Sequence, residues 1–262
     1  TMKQLALLSF LFFSLSFFPQ ETEDYMDLLS DTIWLNASRK KIQNKDSAVY
    51  FAILSKENPE SQKVISKTYF VSGQIQEVVN YSSLKPKTID GKYQIYAENG
   101  QLLYDADYKN GKRHGQLLTF WKNGTPKRID NYQDGEFING TCFDIDGKEI
   151  EYFPYLIEPK YKYGEEALMR YLRKNTFYPP ELSHIVGGKV VVSFFVDIDG
   201  NIVDVKQLKT SLIDAFDEEA LRVVRNIPKG RFIPGKRDGE HVRFRMRMPI
   251  NFKPSFLKQN NK

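Results

Sequence analysis

With 262 residues, 41% hydrophobic and 27% charged, the chain has the balance of a folded globular protein and the length for about two domains. Its net charge of +5 suits an anionic lipid surface, an acidic peptide or nothing specific, and by itself selects no partner. The single cysteine, Cys142, excludes an internal disulfide framework and any multi-cysteine metal site, and 14% aromatics, mostly Tyr and Phe, favour β-rich architecture.

At the N-terminus, Lys3 precedes an uncharged run from Leu5 to Phe18, and acidic residues follow it. A positive flank before about 14 apolar residues fits an export signal better than a membrane span, which needs about 20. Ser14 and Ser16 make a poor cleavage site, so a short uncleaved anchor is the alternative to a removed signal peptide at 1–20. Residues 21–67 have the weakest pattern. Met26, Leu29, Ile33 and Trp34 stand at helical spacing and predict a helix within Asp24 to Ile42, and Ala48 to Leu54 reads as a buried strand.

Residues 68–153 follow a different rhythm. Short aromatic runs alternate with Asn99-Gly100, Asn110-Gly111, Asn123-Gly124, Asp134-Gly135, Asn139-Gly140 and Asp146-Gly147, pairs that readily take the positive φ of tight hairpin turns. Tyr96 precedes Asn99-Gly100 as Trp121 precedes Asn123-Gly124, a period of roughly 24 residues that signals a repeat array. Each unit is too small to bury its own apolar face, so successive hairpins must stack into one sheet. The stretches DYKNGKRHG (Asp107 to Gly115) and LLTFWKNG (Leu117 to Gly124) resemble MORN repeats, and more closely their bacterial antitoxin-type variant. The resemblance implies a scaffold or interaction surface. Residues 154–162, with Pro154 and Pro159, read as an extended linker.

The C-terminal pattern is mixed. Ala167, Leu168, Tyr171 and Leu172 give Tyr163 to Asn175 an apolar helical face, stopped before Tyr178-Pro179-Pro180. Gly187 to Leu208 predicts a hairpin turning at Asp199-Gly200, with Val190, Val192, Phe194 and Val196 on one face. Val191 and Phe195 on the other face predict a central strand covered in part on both sides. A second helix is expected over Ala215 to Ile227, capped by Asp214 and striped by Ala220, Leu221, Val224 and Ile227. In His241 to Ile250, Val242, Phe244, Met246 and Met248 alternate with Arg243, Arg245 and Arg247, which puts three guanidinium groups on the face opposite the core. Pro249 suits an edge strand. The fold class expected is α+β: a β-hairpin array, then a small antiparallel sheet backed by two helices over 163–254, with a tail at 255–262.

This last arrangement resembles the TonB C-terminal domain. The elements that carry the likeness, in order, are Tyr178-Pro179, Gly188-Lys189-Val190, FFVDIDGNIVDV (Phe194 to Val205), DEEALRVV (Asp217 to Val224), FIPGKRDG (Phe232 to Gly239) and MPINF (Met248 to Phe252). The resemblance implies a periplasmic or envelope location, and capture of an extended partner segment along the sheet edge by strand addition. The partner it implies is an outer-membrane TonB-dependent receptor or another envelope protein, and the residues expected to bind it are Val242, Arg243, Phe244, Arg245, Met246, Arg247, Tyr178 and Pro179. The family also engages an inner-membrane motor through a full membrane helix with a functional His. Here Leu5 to Phe18 is short and His-free, and repeats replace the Pro-rich spacer, so partner capture carries over before motor coupling. The alternative is a structural envelope protein whose repeats make the main contacts.

Catalysis finds no constellation. Asp197 to Asn201 and Asp144 to Gly147 look superficially like calcium loops, but the sixth and twelfth positions hold Ile202 and Leu208 in one and Glu149 and Tyr155 in the other, where Gly and Glu are needed. His114, His184 and His241 lack ligand spacing, and no nucleophile elbow or phosphate loop is present. No enzyme, cofactor or metal is expected. Nucleic-acid binding is not expected either, because Phe244 faces away from the arginines instead of interleaving with them.

Overall fold

The computed structural model describes residues 32–56, 58, 60–84, 86–182 and 186–253, in two compact units that divide between Tyr152 and Phe153. The expected export signal and His184 lie outside the described residues. Among the described residues, no helix is long and apolar enough to cross a membrane.

The first unit is one antiparallel sheet of ten strands paired in chain order. Its strands are β1 (Ile33–Leu35), β2 (Tyr50–Lys56), β3 (Val64–Phe70), β4 (Ile75–Leu84) and β5 (Lys87–Tyr96), then β6 (Leu102–Lys109), β7 (Lys112–Phe120), β8 (Pro126–Gln133), β9 (Glu136–Phe143) and β10 (Glu149–Ile150). Alternation puts Ala52, Leu54, Val64, Val79, Tyr93, Ile95, Tyr104, Ala106, Leu117 and Cys142 on a buried face. The helix expected within Asp24 to Ile42 is absent from its described part. Ile33–Leu35 is instead a strand paired with Tyr50–Ala52, and pairing with β2 overrides a helical spacing that rested on few residues.

Two kinds of turn alternate along the array. Asn110-Gly111 and Asp134-Gly135 take positive φ at both residues, as two-residue hairpins demand. At Asn99-Gly100, Asn123-Gly124 and Asp146-Gly147 only the glycine does, and the preceding Asn side chain accepts the N–H two residues on from Gln101 and from Thr125. Each turn is fastened to the neighbouring repeat. Gly111 N–H donates to Ile89 O and Gly135 N–H to Arg113 O, both at 2.8 Å, and Trp121 Nε1 donates to Phe143 O at 3.0 Å.

Asn139-Gly140, expected as a turn, lies inside β9. Its glycine serves packing: a Cβ there would stand 2.2 Å from Asp130 Oδ1. Asp130 forms a fully buried ion pair with Arg128 at 3.0 Å.

The second unit contains β11 (Leu156–Ile157), β12 (Lys160–Tyr161), α1 (Glu165–Asn175), β13 (Gly188–Val196), β14 (Ile202–Lys209), α2 (Asp214–Arg225), β15 (Phe232–Ile233), β16 (Lys236–Arg237), β17 (Glu240–His241) and β18 (Phe244–Phe252). The class is α+β. The segment after Tyr152 is extended, as its prolines require, but it is paired: β11 with β16, and β12 with β15. A three-stranded antiparallel sheet, ordered β14-β13-β18, buries Val190, Val192, Phe194 and Val196 against Phe216, Ala220, Val223 and Val224 of α2 and Leu172 of α1.

Asp214 does not cap α2. It is the first helical residue, and the cap position is Ile213, with no side-chain hydrogen bond. The loop before the helix is held instead by Asp217, whose carboxylate accepts from Ser211 N and Oγ (each 2.9 Å), Gln207 Nε2 (2.6 Å) and Thr210 Oγ1.

Candidate functional site

β18 is built by strict alternation. Met248, Ile250 and Phe252 are buried and Met246 packs against the same core, while Arg245, Arg247, Pro249 and Asn251 are exposed. It pairs with β13 without a register shift from Gly188↔Phe252 to Val196↔Phe244. As the last strand of its sheet it leaves its outer edge unpaired among the described residues.

β13 is the central strand, and on the sheet face opposite the helices Val191 and Phe195 are half-buried, the partial cover on both sides expected of them. The arginines themselves cover that face. Arg245 Nε donates to Ser193 Oγ at 2.9 Å, and the Arg243 guanidinium lies 4.1 Å from the Phe195 ring centre while pairing with Asp204 of β14. This satisfies the Ser193 hydroxyl, which is buried in the middle of β13. Arg243 sits before the start of β18, in a segment where Val242 is buried and its N–H donates to Gly235 O at 3.1 Å.

Six of the expected binding residues, Val242 to Arg247, are therefore gathered along one stretch of chain at the start of the edge strand. Tyr178 and Pro179 are placed elsewhere. Pro179 is buried, and Tyr178 packs edge-on against Phe216, which stacks on Phe252 at the far end of β18. The Tyr178 hydroxyl donates to Val186 O at 2.7 Å, tying down the approach to β13. The segment before it is clamped by α2: Glu219 accepts the Phe177 N–H at 2.6 Å, and Arg222 bridges Glu219 to Asn175 O. Tyr178 and Pro179 thus support the sheet from behind.

Sequence reasoning missed Ser193, Asp204 and the buried role of Asp217. Ser193 interrupts an otherwise apolar strand, which was a visible signal. Asp204 has positive φ at a bulge in β14, for which the sequence gives no sign. Burial raises the Asp217 pKa, but hydrogen bonds from Ser211, Thr210 and Gln207 outweigh it and hold the carboxyl below its ordinary value. Each calcium-like loop uses its first carboxylate internally: Asp197 Oδ1 accepts from Asp199 N and Asn201 N, and Asp144 Oδ1 from Asp146 N and Lys148 N. They are hairpin turns.

Compared with known proteins, no curated sequence and no solved structure matches the chain. Two family models do. Residues 89–110 and 113–134, covering hairpins of the ten-stranded array, each match the MORN repeat variant. Residues 173–254, which hold all of α2 and the β14-β13-β18 sheet, match the Gram-negative bacterial TonB protein C-terminal family.

Proposed function

We propose that the second unit is a non-catalytic binding module of the cell envelope that takes up an extended segment of an outer-membrane or other envelope protein as a new strand beside β18. The carrying observation is the open outer edge of β18 within a region that matches the TonB C-terminal family. Pro249 sets which residues face that edge and leaves an added strand no donor at its own position. It has no N–H to give β13, so the alternation of an antiparallel ladder assigns 249, 247 and 245 to the positions whose backbone groups point outward. Arg245 and Arg247 thus offer both backbone and side chain at the open edge.

The test compares two prolines. Arg245→Pro removes one outward N–H and should leave the fold intact while abolishing capture of the partner by a photoreactive residue at position 247. Met246→Pro removes a bond to β13 and should unfold the sheet. Undiminished capture by folded Arg245→Pro protein would rule out strand addition.

A second reading rests on the array. Phe137, Ile138, Ile145 and Ile150 are exposed around β9 and β10, and β10 covers only the Cys142-Phe143 end of β9. A scaffold acting through this edge predicts that a photoreactive residue at Ile138, and not one at Arg247, captures the partner.

A further inference from the structure

The cationic face beside the open edge constrains what the captured strand must look like. Lys206 and Lys209 of β14 lie across from Ser193 and Val191, and Arg247 and Pro249 of β18 lie across from the same two residues on the other side. Arg245 lies across from Phe195. Asp204 is engaged by Arg243, and among the described residues neither Arg245 nor Arg247 has an acidic partner within salt-bridge distance. On the other face, the outer edge of β18 presents the half-buried Phe244 and Met246.

A strand added to β18 places every second side chain on the arginine face, with paired Cβ atoms about 4.5–5.5 Å apart. Its intervening side chains fall beside Phe244 and Met246. Like charges directly opposite one another are destabilising, and opposite charges favourable. We infer that the captured segment alternates acidic and apolar residues, with carboxylates two positions apart opposite Arg245 and Arg247. This inference rests on the strand-capture reading and adds the partner's chemistry to it. It also assigns a division of labour: the two arginines select the segment and fix its facing, since a one-residue slip would put the carboxylates against Phe244 and Met246.

The probes are three fluorescent nine-residue peptides in which Val alternates with Glu, Gln or Lys, titrated against the full chain and read by anisotropy. The Glu peptide should bind roughly tenfold more tightly than the Gln peptide, from about fivefold or less per opposite-charge pair, and the Lys peptide most weakly. In R245E/R247E, checked for an unchanged circular dichroism spectrum, the order of Glu and Lys should reverse. Equal binding of the Glu and Gln peptides, both lost on methylating alternate backbone amides, would overturn the inference and leave strand capture standing. A Glu preference that survives amide methylation would instead remove strand capture and with it the register. Binding of phosphatidylglycerol vesicles by the wild type but not by R245E/R247E, with no Glu preference among the peptides, would give the face to lipid and overturn the inference as well.

Discussion

At Asp130 a carboxylate and a guanidinium share a site that water does not reach: both side chains are 0% exposed, and Gly140 supplies the room. Asp130→Ala would leave Arg128 charged and buried, at a cost of about 3–5 kcal/mol, measurable as a lowered urea midpoint. Lys87 is a half-buried amine with a different effect. Burial lowers its pKa from 10.5 to about 7, against a smaller upward pull from Glu77. The folded state therefore binds fewer protons than the unfolded chain between those values, and stability must rise with pH through that window. Lys87→Met should flatten the slope between pH 7 and 10 in denaturation titrations. An unchanged slope would show that Lys87 is charged in the folded protein.

The hairpin turns are the elements the sequence announces most clearly, yet they are not equivalent. Asn110 takes φ of 50° and Asn99 does not have positive φ, although both precede glycine. Asn110→Val should destabilise the array by about 1–2 kcal/mol, the cost of left-handed backbone in a branched residue. Asn99→Val loses only the side-chain bond to Gln101 N–H, about 1 kcal/mol or less. Equal losses at the two sites, by thermal denaturation, would mean that the turn classes do not differ in strain. The pair Asn139-Gly140 shows why dipeptides alone mislead: the same residues close a turn or line a strand, depending on what the neighbouring strand needs to bury. The last strand was legible for a simpler reason. An uninterrupted alternation of apolar residues and arginines leaves one way to place the core.

At the scale of the whole molecule, each unit closes its own core, one along a ten-stranded sheet and one between a three-stranded sheet and two helices. Asp217 belongs to the second. Its lowered pKa means that its contribution is present above about pH 4, the ordinary carboxylate range, and is lost as pH falls through the lower folded value. Calorimetry should therefore show acidification below about pH 4 lowering the melting of the second unit, with Asp217→Asn lowering that transition at pH 7 and leaving the array's in place. The sequence by itself determined the two kinds of architecture, the roughly 24-residue rhythm, the order of the C-terminal elements and the identity of the edge strand. These follow from periodicity, turn residues and proline, which act within a few residues of chain. Only the tertiary structure decided that Ile33–Leu35 is a strand, that the segment after Tyr152 is paired with β15 and β16, that Tyr178 and Pro179 lie behind the sheet, and that Arg243 is engaged by Asp204 while Arg245 bonds the buried Ser193. Each of these depends on contacts between residues far apart in sequence, whose pairing no local pattern encodes.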